Sequence, residues 1–159
     1  MKKTLALVLM VVMSITLFAG CGDPVYDDLT NFINVEMAEV NANYEKLTAE
    51  VGTWSDLADD AALAASIKNT LLPLVDDSLA KLEAITPATE EVTALKTKYV
   101  EVMTTYKSGF GKILTGCETA DAAIATTGYE ELSTAVDILN EYNTSLEEMA
   151  KEFGAEVEY

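Results

Sequence analysis

The sequence predicts an all-α fold: an up-down-up-down antiparallel four-helix bundle with long helices, preceded by a cleaved leader. Three observations point there. Apolar residues recur at alternating spacings of three and four through four long stretches, which is the helical period. The breaks between stretches carry Gly, Pro or capping side chains. No stretch alternates apolar and polar residues as a half-buried strand would.

The first stretch runs from about Val25 to Trp54. Ile33, Met37, Val40, Tyr44, Leu47, Val51 and Trp54 form its stripe, and Gly52 is a stop signal. The second is expected to begin near Ser55, a good N-cap with Asp56 behind it. Its stripe is Leu57, Ala61, Ala64, Ile67, Leu71, Leu74, Leu82 and Ile85. Pro73 lies inside it, lacks an N–H and crowds the carbonyl of Asn69, so a kink is expected before the helix ends ahead of Pro87.

The third stretch starts near Ala88 or Thr89 and ends near Gly116. Val92, Leu95, Tyr99, Val102, Tyr106, Phe110, Ile113 and Cys117 follow one another on one face. Gly109 and Gly111 flank Phe110 and allow either close helix contact or a local irregularity. The fourth starts near Asp121, or later at Gly128 with Thr126-Thr127 as caps, and runs to about Phe153. It carries Ala125, Tyr129, Leu132, Val136, Leu139, Tyr142, Leu146, Met149 and Phe153. Four helices of roughly 28–33 residues would each be about 42–50 Å long. Matched lengths and short loops favour antiparallel neighbours.

Ahead of the helices, Met1-Lys2-Lys3 is a positive start, and Thr4–Phe18 is an uncharged, mostly apolar run of 15 residues. That run is shorter than the ~20 residues a membrane-spanning helix needs. The layout is that of a secretory signal peptide. The junction Phe18-Ala19-Gly20-Cys21 resembles the lipobox of bacterial lipoproteins, with Phe18 where an aliphatic residue, usually Leu, stands in that pattern. An ordinary signal peptidase cutting after Ala19 would face Leu17 at a position that wants a small residue. The resemblance implies that residues 1–20 are removed and that Phe18, Ala19 and Gly20 form the recognition sequence. It also implies that Cys21 carries a diacylglyceryl thioether, often with a third acyl chain. Two or more chains anchor stably where one is marginal. Residues 21–25 are then a lipidated N-terminus and short tether, and residues 26–159 are the bundle domain, lipid-anchored at the extracytoplasmic face of the cell membrane. The alternative for Cys21 is an unmodified cysteine in a flexible tail.

Composition limits the function. The formal net charge is −17, and it becomes −19 once Lys2 and Lys3 leave with the leader. Nucleic acid is therefore not an expected partner. The sequence has no His and no Arg. This excludes Ser-His-Asp and Cys-His catalysis, His-ligated zinc or haem, the Glu-x-x-His pairs of di-iron bundles, and bidentate Arg clamps. No cofactor, metal site or catalytic residue is assigned. With Cys21 lipidated, Cys117 has no internal disulfide partner and is expected to pack in the core, the alternative being a reactive or dimerising thiol.

Acidic residues come in doublets: Asp27-Asp28, Asp59-Asp60, Asp76-Asp77, Glu90-Glu91, Glu130-Glu131 and Glu147-Glu148. Several fall in predicted first turns, where negative charge is favourable, and calcium is the competing reading. Tyr44, Tyr99, Tyr106, Tyr129 and Tyr142 occupy or border the stripes. Their rings are expected to pack with hydroxyls reaching water, the alternative being a tyrosine-lined ligand pocket. Asn34 and Asn41 share a face expected to meet solvent. The function expected is a non-enzymatic helical interaction module, held to the membrane by lipid and contacting an envelope protein. The alternative is a small-molecule or cation-binding lipoprotein.

Overall fold

The computed structural model describes residues 14–16 and 22–158. The protein is all-α. Its helices are α1 (Pro24–Asn31), α2 (Ala38–Gly52), α3 (Asp60–Ser66), α4 (Leu72–Ala84), α5 (Glu90–Thr119) and α6 (Ala122–Glu152). Wide π turns, Phe32–Glu36 and Ile67–Leu71, join α1 to α2 and α3 to α4. Two three-residue strands, β1 (Ser14–Thr16) and β2 (Glu156–Glu158), pair antiparallel, with Ile15 opposite Val157. The sequence predicts no strands, and β1 lies inside the predicted leader.

α1, α3 and α6 start at side-chain caps. Asp23 accepts from the amides of Val25 (2.9 Å) and Tyr26 (3.4 Å) and opens α1. Asp121 accepts from Ala123 (2.9 Å) and Ile124 (3.2 Å), so α6 starts there and not at Gly128. The second helical stretch does not begin at Ser55. Trp54–Asp56 is a single 3-10 turn, Leu57 is extended, and Asp59 caps α3 through the amide of Ala62 at 2.9 Å. Asp59 wins because it alone has both an extended backbone and an oxygen in reach of the first orphan amides. α5 outruns its predicted stop at Gly116 by three residues, and Ala120 (φ 54°) ends it in the left-handed region.

The kink expected at Pro73 takes the form of the π turn just before it. The Leu72 amide bonds the Ile67 carbonyl, five residues back. A widened turn gives the proline ring room, and π bulges of this sort are a known cause of helix bending. The extra residue also shifts the stripe. Beyond Ile67 and Leu71 the buried positions are Val75, Ser78, Leu82 and Ile85, while the predicted Leu74 is only half-buried.

The helices pack antiparallel in succession. α2 meets α4 at Asn43–Asp77 and Glu39–Lys81. α4 meets α5 through the Asp76–Lys107 ion pair (2.7 Å), and the Lys96 ammonium donates to the Ile85 carbonyl (2.5 Å) at the end of α4. α5 meets α6 through Lys112–Glu131, Lys98–Glu141 and the Tyr99–Tyr142 ring contact (5.0 Å). The Tyr26 ring on α1 lies 5.5 Å from that of Phe153, just past the end of α6. One apolar cluster runs through all of these elements.

α5 and α6 approach until their backbones nearly touch. A Cβ added at Gly116 would lie 2.7 Å from the Ala125 amide nitrogen, and one at Gly109 would lie 3.0 Å from the Gly128 carbonyl. Gly109 therefore serves close contact. Gly111 has nothing within 4 Å of a new Cβ.

Candidate functional site

Cys21 and the recognition residues Phe18, Ala19 and Gly20 lie outside the described residues. The described chain resumes at Gly22, whose φ of 108° suits glycine, and Asp23 already caps α1. Only Gly22 and Asp23 therefore separate Cys21 from Pro24, the first residue of α1. The turn between α4 and α5 lies at this same end, tied there by Asp28 of α1. The opposite end holds the Trp54 turn and the short link between α5 and α6.

Trp54 closes that far end. Its ring stands edge-on to Phe110 (6.0 Å) and Tyr129 (6.3 Å). Its indole N–H donates to the Ser66 hydroxyl (3.1 Å), which donates to Glu50 (2.6 Å). Beside this relay an open groove of about 680 Å³ runs between α2 and α4, next to the π turn and Pro73. Lys46, Glu50, Thr53, Asn69, Thr70 and Asp77 contribute its polar groups. Two of them are committed elsewhere. Glu50 accepts from Ser66. Asp77 accepts from Asn43 (2.6 Å) and Lys81, which together hold its carboxyl below the usual range. Lys81 rises in turn through its hydrogen bond to Glu39 and then that to Asp77. Both carboxylates are thereby tied into hydrogen bonds within the fold.

Of the acidic doublets, Asp28, Asp59, Asp76, Asp77 and Glu131 serve as caps or pair partners. Asp28 reaches from α1 to the start of α5, where it accepts from the Ala88 amide (3.0 Å), the Thr89 amide (2.8 Å) and the Thr89 hydroxyl (2.7 Å). Thr89 makes no cap of its own, so Asp28 substitutes for one. Burial alone would raise the Asp28 pKa, but these three donors outweigh it and hold the carboxyl below its ordinary value. Glu131 is lowered mainly by Lys112, with help from Ser108. Among the described residues no three His, Cys, Asp or Glu side chains converge as metal ligands.

The tyrosines depart from expectation. Tyr44, Tyr99, Tyr106 and Tyr142 are buried and Tyr129 is half-buried. The hydroxyls of Tyr44 and Tyr106 do not reach water, because both are enclosed in the core, where they interact with each other. Burial pushes the Tyr106 phenol up to about 12, and those of Tyr44 and Tyr99 well above the ordinary value. Asn34 is exposed and Asn41 half-buried. The buried polar side chains are instead Asn43, Ser66, Ser78 and Asn143. Ser78 would have been legible had the stripe been continued through the π turn.

Cys117 is half-buried, and burial, then Asp60 and Glu118, raise its pKa. Only the thiolate reacts readily. Iodoacetamide at pH 7.5 should therefore modify Cys117 several-fold more slowly in the folded protein than in urea. Equal rates would show that the fold does not shield it.

Comparison with family models, with curated proteins and with solved structures finds no match to this chain.

Proposed function

We propose that this protein is an extracytoplasmic lipoprotein whose helical rods form an up-down-up-down four-helix bundle, held upright on the membrane by lipid on Cys21 and serving as a non-enzymatic interaction module. The observation that carries this reading is the immediacy of α1 after the lipobox-like FAGC: Asp23 caps the helix two residues after Cys21. A lipid on Cys21 would hold the near end of the bundle at the headgroups. The Trp54 turn would stand about 40 Å away, since α1, α2 and the turn between them span 29 residues from Pro24 to Gly52. On this reading β1 belongs to the precursor only, and β2 of the mature chain keeps its contact with α6. No helix among the described residues is long and apolar enough to cross a membrane, so the bilayer contact falls to the lipid.

Contact with a partner would be electrostatic. Val35 is the one exposed large hydrophobic residue among those described, while the chain carries 27 acidic residues. A basic face on an envelope protein is the complementary surface, and such attraction speeds encounter and weakens with salt. The chemistry of the chain favours contact over catalysis, since it lacks His and Arg.

Replacing Cys21 with Ser tests the anchor. Labelling by a fatty-acid analogue should vanish and the protein should leave the membrane fraction; unchanged labelling would overturn the lipoprotein reading. Crosslinking on intact cells tests the contact, which should capture a basic partner and fade at ~0.5 M salt. A second reading, a lipoprotein that binds a small molecule in its tyrosine-lined interior, is favoured by the enclosed hydroxyls of Tyr44 and Tyr106.

A further inference from the structure

We propose that β2 is the docking edge of the mature protein: a short basic segment of the partner adds to Glu156–Glu158 as an antiparallel strand, in the place β1 leaves when the leader is removed. The inference rests on the lipoprotein reading above, which confines β1 to the precursor.

The chain itself shows that this edge takes a strand. β1 pairs with it antiparallel, with Ser14, Ile15 and Thr16 opposite Glu158, Val157 and Glu156. A strand edge without a neighbour offers a row of N–H and C=O groups, a ready template for another chain. Strand addition draws affinity from main-chain hydrogen bonds and specificity from alternate side chains. β2 does not depend on β1 for its position. α6 closes in a turn in which the Ala155 amide donates to the Ala150 carbonyl (3.0 Å) and the Gly154 amide to the Lys151 carbonyl (3.1 Å). Gly154 takes the left-handed conformation this helix ending calls for, at φ 69°. Beyond the turn Ala155 is buried, and half-buried Val157 packs on the apolar cluster. The edge is therefore set by α6 and stays in place once β1 has gone.

Charge selects the occupant. Alternation along a strand puts positions 156 and 158 on one face and Val157 on the other. β1 sets uncharged Ser14 and Thr16 opposite the two glutamates, so it supplies no opposite charge. Opposite charges directly across a strand pair are favourable, and like charges are unfavourable. The segment that fits best has Lys or Arg, then Ile or Val, then Lys or Arg, with its middle residue opposite Val157 as Ile15 is. The same rule rejects a second copy of this chain. Two β2 strands paired antiparallel about Val157 would set Glu156 of each opposite Glu158 of the other. β2 follows α6 at the end of the protein nearest Cys21, where Tyr26 of α1 meets Phe153. The partner segment thus lies close to the headgroups.

The mature protein, purified from membranes, is titrated into three labelled peptides that differ only at their centre. These are Lys-Ile-Lys, the same residues reordered as Lys-Lys-Ile, and Glu-Ile-Glu. Fluorescence anisotropy should show Lys-Ile-Lys binding about tenfold more tightly than Lys-Lys-Ile, which keeps the charge and loses the alternation. Glu-Ile-Glu should not bind. The double variant Glu156→Lys, Glu158→Lys should reverse the preference in favour of Glu-Ile-Glu. The unprocessed precursor, its edge filled by β1, should bind none of the three. Equal binding of the two basic peptides would reduce the effect to the overall charge of the chain and overturn the proposal, as would a precursor that binds as well as the mature protein. The mass of the purified protein separates the two ways of failing. A cleaved, lipidated chain that ignores Lys-Ile-Lys sinks this inference alone. A chain that still carries residues 1–20 sinks the lipoprotein reading, and this inference with it.

Discussion

Replacing Gly128 with Ala is expected to destabilise the protein by about 2–3 kcal/mol, even though Ala is the better helix former. Gly128 is buried in α6 against α5. An added Cβ would lie 2.6 Å from the Gly109 carbonyl oxygen, 2.7 Å from Ile113 Cγ1 and 2.8 Å from the Ile113 amide nitrogen. Two of these three atoms are backbone and cannot rotate aside. The helices would have to move apart, loosening the packing of Leu132 and Ile113. Gly111 is the control, because a new Cβ there meets nothing within 4 Å. With no clash to offset the propensity gain, Gly111→Ala should stabilise by about 1 kcal/mol. Urea midpoints at unchanged m-value separate the two outcomes. If both substitutions raised the midpoint, the close backbone approach of α5 and α6 would be refuted.

That pair also marks how far the sequence could be read. Gly109 and Gly111 look alike in sequence, since both interrupt a helical stripe beside Phe110. Only the position of Gly128, on another helix, separates a contact glycine from a solvent-facing one. The helical period itself was legible. On α5 the predicted stripe is buried from Val92 through Ile113, because an unbroken α-helix keeps a constant angle per residue. On α4 the same reasoning chose Leu74 where the fold buries Val75, because the π turn at Ile67–Leu71 adds a residue the pattern does not announce. Ser55 failed as a cap for a related reason. Capping power depends on an extended backbone next to free amides, and Trp54's packing on Phe110 and Tyr129 holds that segment in a 3-10 turn. Of the candidate sites, the lipobox-like junction is a property of consecutive residues and can be read directly. The Tyr44–Tyr106 pair and the reach of Asp28 to Thr89 join residues about 60 apart, so one chain read in order does not reveal them.

Asp28→Asn should lower stability by about 1–2 kcal/mol at pH 7, around the low end of the range for hydrogen bonds to a charged group, because the carboxylate is partly solvated. Asp28 ties α1 to the start of α5, where Thr89 makes no cap of its own, so the loss should loosen the end of the protein nearest Cys21. The sign of the pH effect follows from the depressed folded pKa. In the unfolded chain this carboxyl titrates near its ordinary value of 3.8, and in the folded protein below it. Its contribution is thus complete above about pH 5 and disappears as pH falls through the folded value. Asp77 and Glu131 are lowered as well and act in the same direction. A second effect opposes these. With a formal net charge of −17, protonating unpaired carboxylates relieves repulsion, so stability should rise gently as pH drops from 8 towards 5. It should then fall steeply below about pH 4, as the paired carboxylates are neutralised. Salt distinguishes the two. Screening at ~0.5 M flattens the repulsive slope, whereas the contacts of Asp28, at 2.7–3.0 Å, are too short to be screened. Urea midpoints from pH 2.5 to 8 should therefore show the deficit of Asp28→Asn shrinking in acid at both salt levels. A deficit that stayed constant down to pH 2.5 would mean that the charge on Asp28 does not hold α1 to α5.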